Sequence, residues 1–112
     1  MLRAASELER EAWLGGTEGI AIDDDDGLCG ICGFKYDEQN FVVNGIRVWR
    51  GQSTFMLLVR ALRREAACRG FSKIIGTIDA SSDPKMFKLI KSRSWKHVVT
   101  VVETVGHVHV DV

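Results

Sequence analysis

Proline is almost missing from this chain. Pro84 is the only one in 112 residues, which argues against a flexible proline-rich linker. Cysteine is scarce as well. Three residues are an odd number and too few for a secreted disulfide framework, so a reducing, cytoplasmic setting is expected. Neither sign of charge is in excess: fifteen basic residues face fifteen acidic ones, and a chain of zero net charge has no global electrostatic preference for nucleic acid or membrane. No apolar run approaches the roughly 20 residues of a membrane span. Met1 to Leu14 is charged throughout, unlike a secretory signal. There is no internal repeat, and the only biased segment is the run Asp23 to Asp26. The apolar and charged fractions are those of an ordinary globular protein, and the length suits one domain over residues 1–112.

Within that domain, hydrophobic spacing sets out the elements. Leu2, Ala5, Leu8 and Ala12 recur at helical intervals and predict a first helix over 2–14, stopped by Gly15-Gly16. Ser6 and Glu9 have capping-box spacing, which would start that helix later. A β-meander follows, with strands at 19–23, 28–36 and 41–49 and turns at 24–27 and 37–40. Asn44-Gly45 inside the third strand marks either a tight turn or a bulge. A central helix is expected over 54–69, capped by Ser53 or Thr54. Leu58, Ala61, Leu62 and Ala66 form its core face, and Arg60, Arg63, Arg64 and Arg69 fall largely opposite. Gly70 sits where a left-handed C-terminal cap belongs, with Phe71 as its apolar follower. A strand over 71–78, a short helix starting at Asp83-Pro84, and strands over 96–104 and 107–112 hinged at Gly106 complete the order α-β-β-β-α-β-α-β-β. Strand 41–49, helix 54–69 and strand 71–78 have the length of a βαβ crossover. The fold class is therefore α+β, with a mixed, mostly antiparallel central sheet containing one parallel pair.

The stretch Trp49-Arg50-Gly51-Gln52-Ser53-Thr54-Phe55 joins the third strand to the central helix. The first amides of a helix have no intrahelical acceptor and point outward with the positive end of the helix dipole. A turn of this kind is suited to an anionic group such as a phosphate. The plainer reading is an ordinary strand-to-helix connection with a Ser/Thr cap.

This turn, in this order of elements, resembles the GNAT (GCN5-related) N-acetyltransferase superfamily over roughly residues 19–100. The family's Arg/Gln-x-x-Gly-x-Gly/Ala turn opens here as Arg50-Gly51-Gln52 and continues as Ser53-Thr54-Phe55, so both signature glycines are replaced. Asp83-Pro84-Lys85-Met86-Phe87-Lys88-Leu89-Ile90 is similar to the family's Asn-Pro-x-Ala-x-x-Leu-Tyr segment, with Asp83 for the Asn and Ile90 for the Tyr that protonates the departing thiolate. The N-terminal region is short, with one helix where the family usually has two. In this compactness the chain resembles acetyltransferase-like proteins of tailed phages, which would place it in a host cytoplasm or a virion.

The resemblance implies a small N-acetyltransferase that takes acetyl-CoA as co-substrate and transfers the acetyl group to an unknown amine or protein acceptor. The alternative is an inactive GNAT-like binding or structural protein. It further implies that strand 41–49 splays from strand 71–78 to hold the pantetheine arm, and that Val48, Trp49, Arg50, Gly51, Gln52, Ser53, Thr54, Phe55 and Asp83 form the CoA site. A backbone N–H of Val48 or Trp49 would polarise the thioester carbonyl. Glu18, Asp23, Glu38 and His97 are the candidate bases. Phe55 fits a phosphate turn only if its ring enters the core. The long apolar strands at the C-terminus suggest an exposed edge and a homodimer formed through it.

Three other patterns have plainer readings. Cys29-Gly30-Ile31-Cys32 with His107-Val108-His109 invites a zinc site, but residues three apart on a regular strand face opposite ways and the spacing fits no zinc pattern. Buried cysteines and a solvated His pair are expected, and no metal. Asp23 to Asp26 lacks the alternating ligands of a calcium loop and reads as a solvated turn. Lys85, Lys88, Lys91 and Arg93 form a basic group that could reach the 3′-phosphate of CoA, and Trp13, Trp49 and Trp95 read as core or interface anchors.

Overall fold

The computed structural model describes the backbone of residues 1–79, 97–102 and 105–111, with side chains up to residue 76. The expected helix from Asp83, and with it Asp83 and Ile90, lies outside the described residues.

The first helix is shorter than its apolar spacing predicted. Leu2–Ala4 is a strand, β1, and the helix α1 occupies only Glu7–Trp13. The capping box decides the boundary: the Glu9 amide donates to Ser6 Oγ at 3.2 Å, and the Ser6 amide donates to Glu9 Oε1 at 2.9 Å. Ahead of the cap, the chain is drawn into the sheet, and the Ala5 amide donates to the Gly19 carbonyl at 2.9 Å. Leu8, counted on the apolar stripe, is 81% exposed. Leu14, just past the helix, supplies the buried anchor instead.

The meander forms as expected, with β2 at Glu18–Asp24, β3 at Gly27–Tyr36 and β4 at Phe41–Val48, each antiparallel to the next. Helix α2 spans Thr54–Cys68 and buries Thr54, Phe55, Leu58, Leu62 and Ala66. Its end is a Schellman motif: Gly70, at φ +85°, donates to the Ala67 carbonyl at 3.0 Å, and Phe71 donates to the Ala66 carbonyl at 2.9 Å. Phe71 thus belongs to the cap, and β5 begins at Lys73 and runs to Asp79. Strands β6 (His97–Val102) and β7 (Val105–Asp111) follow. Gly106 lies inside β7, opposite Val101 and Ile78, rather than at the reversal.

The sheet order is β1-β2-β3-β4-β5-β7-β6, antiparallel throughout except for the parallel pair β4–β5. This is the mixed α+β sheet with a β4-α2-β5 crossover. One face packs under α2, with Ile22, Cys32, Phe34, Phe41, Leu58, Leu62 and Ile74 among its core. The other holds the smaller cluster of Leu14, Ala21 and Ile31. No helix among the described residues is long and apolar enough to cross a membrane.

Candidate functional site

Two irregularities in β4 create the site. The first is a bulge. Gly33 faces Gly45 while Phe34 faces Val43, so Asn44 is the extra residue. Its side chain fixes the bulge to the far face of the sheet, with Nδ2 donating to Thr17 Oγ1 at 2.8 Å and to the Leu14 carbonyl at 3.3 Å. The second irregularity is the brevity of the parallel pairing. β4 meets β5 only at Val42–Ile75 and Val43–Gly76. From Asn44 onward the two strands part, which is the splay expected of them.

The ladder assigns the backbone groups lining that gap. The Trp49 amide donates to the Cys29 carbonyl at 2.9 Å and is therefore spent within the sheet. In an antiparallel pair the hydrogen-bonding direction alternates, so Val48, paired with Gly30, directs its amide to the other side, toward β5. Of the two amides expected to reach a thioester carbonyl, only that of Val48 faces the gap.

The turn after β4 is held tightly. Gly51 has φ +93°, a left-handed conformation that a side chain disfavours, and a Cβ there would come within 2.4 Å of Thr54 Oγ1. Thr54 is buried and its hydroxyl donates to the Arg50 carbonyl at 2.9 Å. Ser53 is the N-cap residue, but its side chain makes no capping bond. The Thr54 amide donates to the Gly51 carbonyl at 3.3 Å and that of Leu57 to the Ser53 carbonyl at 3.0 Å. The amides of Gly51, Gln52, Ser53 and Met56 have no protein acceptor among the described residues. Phe55 is buried, at 6% exposed, although it belongs to neither core cluster of the described residues.

Arg50 does not extend toward β5. Its guanidinium forks onto Asp24 at the end of β2, with Nε to Oδ2 at 2.5 Å and Nη2 to Oδ1 at 2.6 Å, and Nη2 also donates to the Gly27 carbonyl at 3.0 Å. Those hydrogen bonds hold the Asp24 carboxyl down to about 2.

The candidate bases are scattered. Glu18 opens β2 opposite Phe34, with its carboxylate 3.8 Å from Arg69 Nη2. It shares a cross-sheet row with Val43 and Gly76, at the level of the mouth of the gap, but β3 and β4 lie between it and β5. Asp23 lies five residues further along β2, about 17 Å away at strand rise. Arg3 holds its carboxyl below the usual carboxylate range through bonds of 2.5 and 3.1 Å. Glu38 is exposed in the β3–β4 turn. His97 begins β6 opposite Val110, and its side chain lies outside the described residues.

The Cys29/Cys32 reading needs one correction. Ile22 faces Gly30 while Asp23 faces Leu28, so Cys29 is the extra residue of a bulge in β3, and both cysteines enter the core under α2 instead of facing apart. They remain free, and burial pushes the Cys32 thiol up to about 12. No metal-binding cluster occurs among the described residues. A groove of ≈ 400 Å³ between β1, β2 and α2, lined by Arg3, Arg10, Phe34, Ala61 and Arg64, is separate from the turn.

Sequence reasoning missed one residue, Asp24, and the structural role of another, Thr54. Asp24 fixes the Arg50 side chain from 26 positions away, and buried Thr54 fixes the Arg50 carbonyl. The first contact has no local signal. The second is foreshadowed only by a Thr at the helix start.

No protein-family model matches the sequence, and no curated protein matches it. Solved structures do. A protein from Klebsiella pneumoniae, assigned as an acyl-CoA N-acyltransferase, superposes with a TM-score of 0.66 at 12% identity, over 84% of this chain and 71% of that one. The GNAT domain of S. lividans PAT gives 0.65 at 13% identity, over 85% of this chain and 60% of that one. An N-acetyltransferase from Staphylococcus aureus gives 0.64 at 16% identity, over 100% of this chain and 96% of that one, so the compact length has a counterpart among solved folds. With the splayed β4–β5 pair and the β4-α2-β5 crossover, these likenesses establish that the chain has the fold of the GNAT acyl-CoA N-acyltransferases.

Proposed function

We propose that this protein binds acetyl-CoA between β4 and β5 and transfers the acetyl group to an amine. The observation that carries this reading is the opening of β4 from β5 beyond Val43–Gly76, followed directly by a turn whose amides are unclaimed among the described residues. The pantetheine arm would lie in the gap against β4, and the pyrophosphate against the amides of Gly51 to Ser53 at the positive end of α2. The Val48 amide would stabilise the oxyanion as the amine nitrogen attacks the thioester carbon. The C–S bond then breaks, the amine proton passes to a base through water, and the thiolate takes a proton from solvent because Ile90 has none to give. Glu18, in the row at the mouth of the gap, is the strongest of the four base candidates. Free cysteines and a supply of CoA thioesters both suit the cytoplasm. Among the described residues strand β6 ends the sheet with one side unpaired, which supports a dimer formed along it.

A second reading, a CoA-binding module without transfer, is favoured by Ile90 and by the engagement of Asp23 with Arg3. Titration of CoA and acetyl-CoA by calorimetry tests binding, and release of free CoA in the presence of a panel of amines tests transfer. Binding to the folded state raises its stability by about 2.7 kcal/mol at a ligand concentration 100 times Kd. No heat and no thermal shift at millimolar ligand would end both readings. Ser53→Asp is the site-specific check. A carboxylate about 5 Å from two phosphate charges costs about 0.8 kcal/mol for each at the dielectric of water, roughly a fifteenfold weaker Kd in all. The same carboxylate is favourable at a helix start, so stability should hold or rise. An unchanged Kd places the pyrophosphate elsewhere.

A further inference from the structure

The acidic hairpin at 24–27 carries no metal cluster, yet it is tied to the candidate phosphate turn at several points. Asp24 takes the Arg50 guanidinium in a bidentate fork, and Gly27 offers its carbonyl to the same group. The Arg50 carbonyl is held by Thr54 Oγ1, and the Trp49 and Arg50 amides both point at the Cys29 carbonyl, at 2.9 and 3.5 Å. Asp24 is itself oriented by the Asp26 amide, which donates to Oδ1 at 2.8 Å. Arg50 is thus held at its amide, its carbonyl and its side chain. The glycine after it, free to swing in an isolated peptide, starts from a fixed point.

We infer that Asp24 is a positioning residue for the phosphate turn. It acts through Arg50 to hold the amides of Gly51 to Ser53 in one array before ligand arrives, and Arg50 itself is not a phosphate ligand. The inference rests on the proposed CoA site. Its physical basis is preorganisation. A turn that must be ordered by its ligand loses affinity by the entropy of that ordering, and a turn ordered beforehand does not. The direction of the guanidinium gives the second half of the inference. From the end of β4 it reaches across β3 to β2, away from β5.

The test compares Asp24→Asn, Arg50→Lys and the exchanged pair Asp24→Arg with Arg50→Asp. Affinity is measured by calorimetry with CoA and with inorganic pyrophosphate. Amide hydrogen exchange at residues 51–53 is measured in the ligand-free protein. Lys keeps the charge but cannot make the fork, so Arg50→Lys and Asp24→Asn should each weaken both ligands by about three- to tenfold. Both should speed exchange at 51–53, and the exchanged pair should recover part of each loss. Because the fork lies on the surface, the melting temperature should move by no more than about 2 °C. Tighter CoA binding by Asp24→Asn would make Arg50 a phosphate ligand held in reserve and overturn the inference. So would a neutral Arg50→Lys, or unchanged exchange. If the unaltered protein binds no CoA, the proposed function falls by itself, and the exchange comparison still decides whether Asp24 orders the turn.

Discussion

Gly30 bears on how the start of α2 is held against the sheet, and replacing it with Ala gives a prediction with a defined sign. A Cβ at Gly30 would lie 2.4 Å from Thr54 Cγ2 and 3.2 Å from Leu58 Cδ1, where carbon atoms prefer about 3.5–4.0 Å. Leu58 can give way by a small rotation. Thr54 cannot, because turning its side chain would break the 2.9 Å bond from Oγ1 to the Arg50 carbonyl. Ala in place of Gly in a strand gains about 0.5–1 kcal/mol, and overpacking of this kind costs about 1–3 kcal/mol. Gly30→Ala should therefore destabilise by about 0.5–2 kcal/mol, near 4 °C in melting temperature per kcal/mol at this chain length. Thr54→Ser deletes the clashing methyl and keeps the hydroxyl, at a loss of roughly 0.8–1.5 kcal/mol. In that background Gly30→Ala should turn neutral or stabilising, a coupling of about 1–3 kcal/mol. Urea denaturation of the four proteins followed by circular dichroism, with unchanged slope, measures the cycle. If the two changes simply add, α2 does not rest on β3 through this contact. CoA affinity, where present, should fall in Gly30→Ala and return in the double variant, because the same contact sets the position of the turn.

Other outcomes follow from separate parts of the structure. Hydrogen bonds from Arg3 hold the Glu9 carboxyl down to about 2 against an ordinary 4.5, so the unfolded chain takes up the proton first. That stability is complete above about pH 4.5 and drains away as the pH falls toward 2; Arg3→Gln should move the acid unfolding midpoint to higher pH, and an unmoved midpoint would show the pair to be idle. A thiol reagent should label Cys68 quickly in the native protein and Cys29 and Cys32 only on unfolding, since the first is exposed and the others buried. Fast labelling of three thiols would mean that α2 does not cover β3. Sedimentation velocity should show a dimer that Thr100→Lys in β6 dissociates, and a monomer at high micromolar concentration would remove the edge-pairing proposal.

Elements whose signals are local were legible. The Schellman end of α2 needed only Gly70 followed by an apolar residue, and the bulge in β4 was marked by Asn44-Gly45 inside a run of strand formers. The N-terminal boundary was misread because two local signals competed. The apolar spacing from Leu2 spoke for a helix, but the Ser6–Glu9 box satisfies backbone groups that a longer helix would leave to other partners. Residues 2–4 then gained a ladder with β2 that no local pattern announces. The cysteine pair shows the same limit. Alternation places residues three apart on opposite faces only while the register is regular, and the bulge that breaks it, at Cys29, shows only in the pairing of β3 with β2.

For the site, the sequence by itself determined the meander, the β4-α2-β5 crossover with its intervening turn and the absence of the signature glycines, because each is a property of neighbouring residues. Tertiary structure alone decided that Phe55 is buried, that the Val48 amide and not that of Trp49 faces the gap, and that Arg50 belongs to the Asp24 hairpin. Those outcomes depend on which backbone groups a neighbouring strand has already claimed and on a charge 26 residues away. Hydrogen bonds and ion pairs are shared between elements, so where they go is settled only when the elements meet.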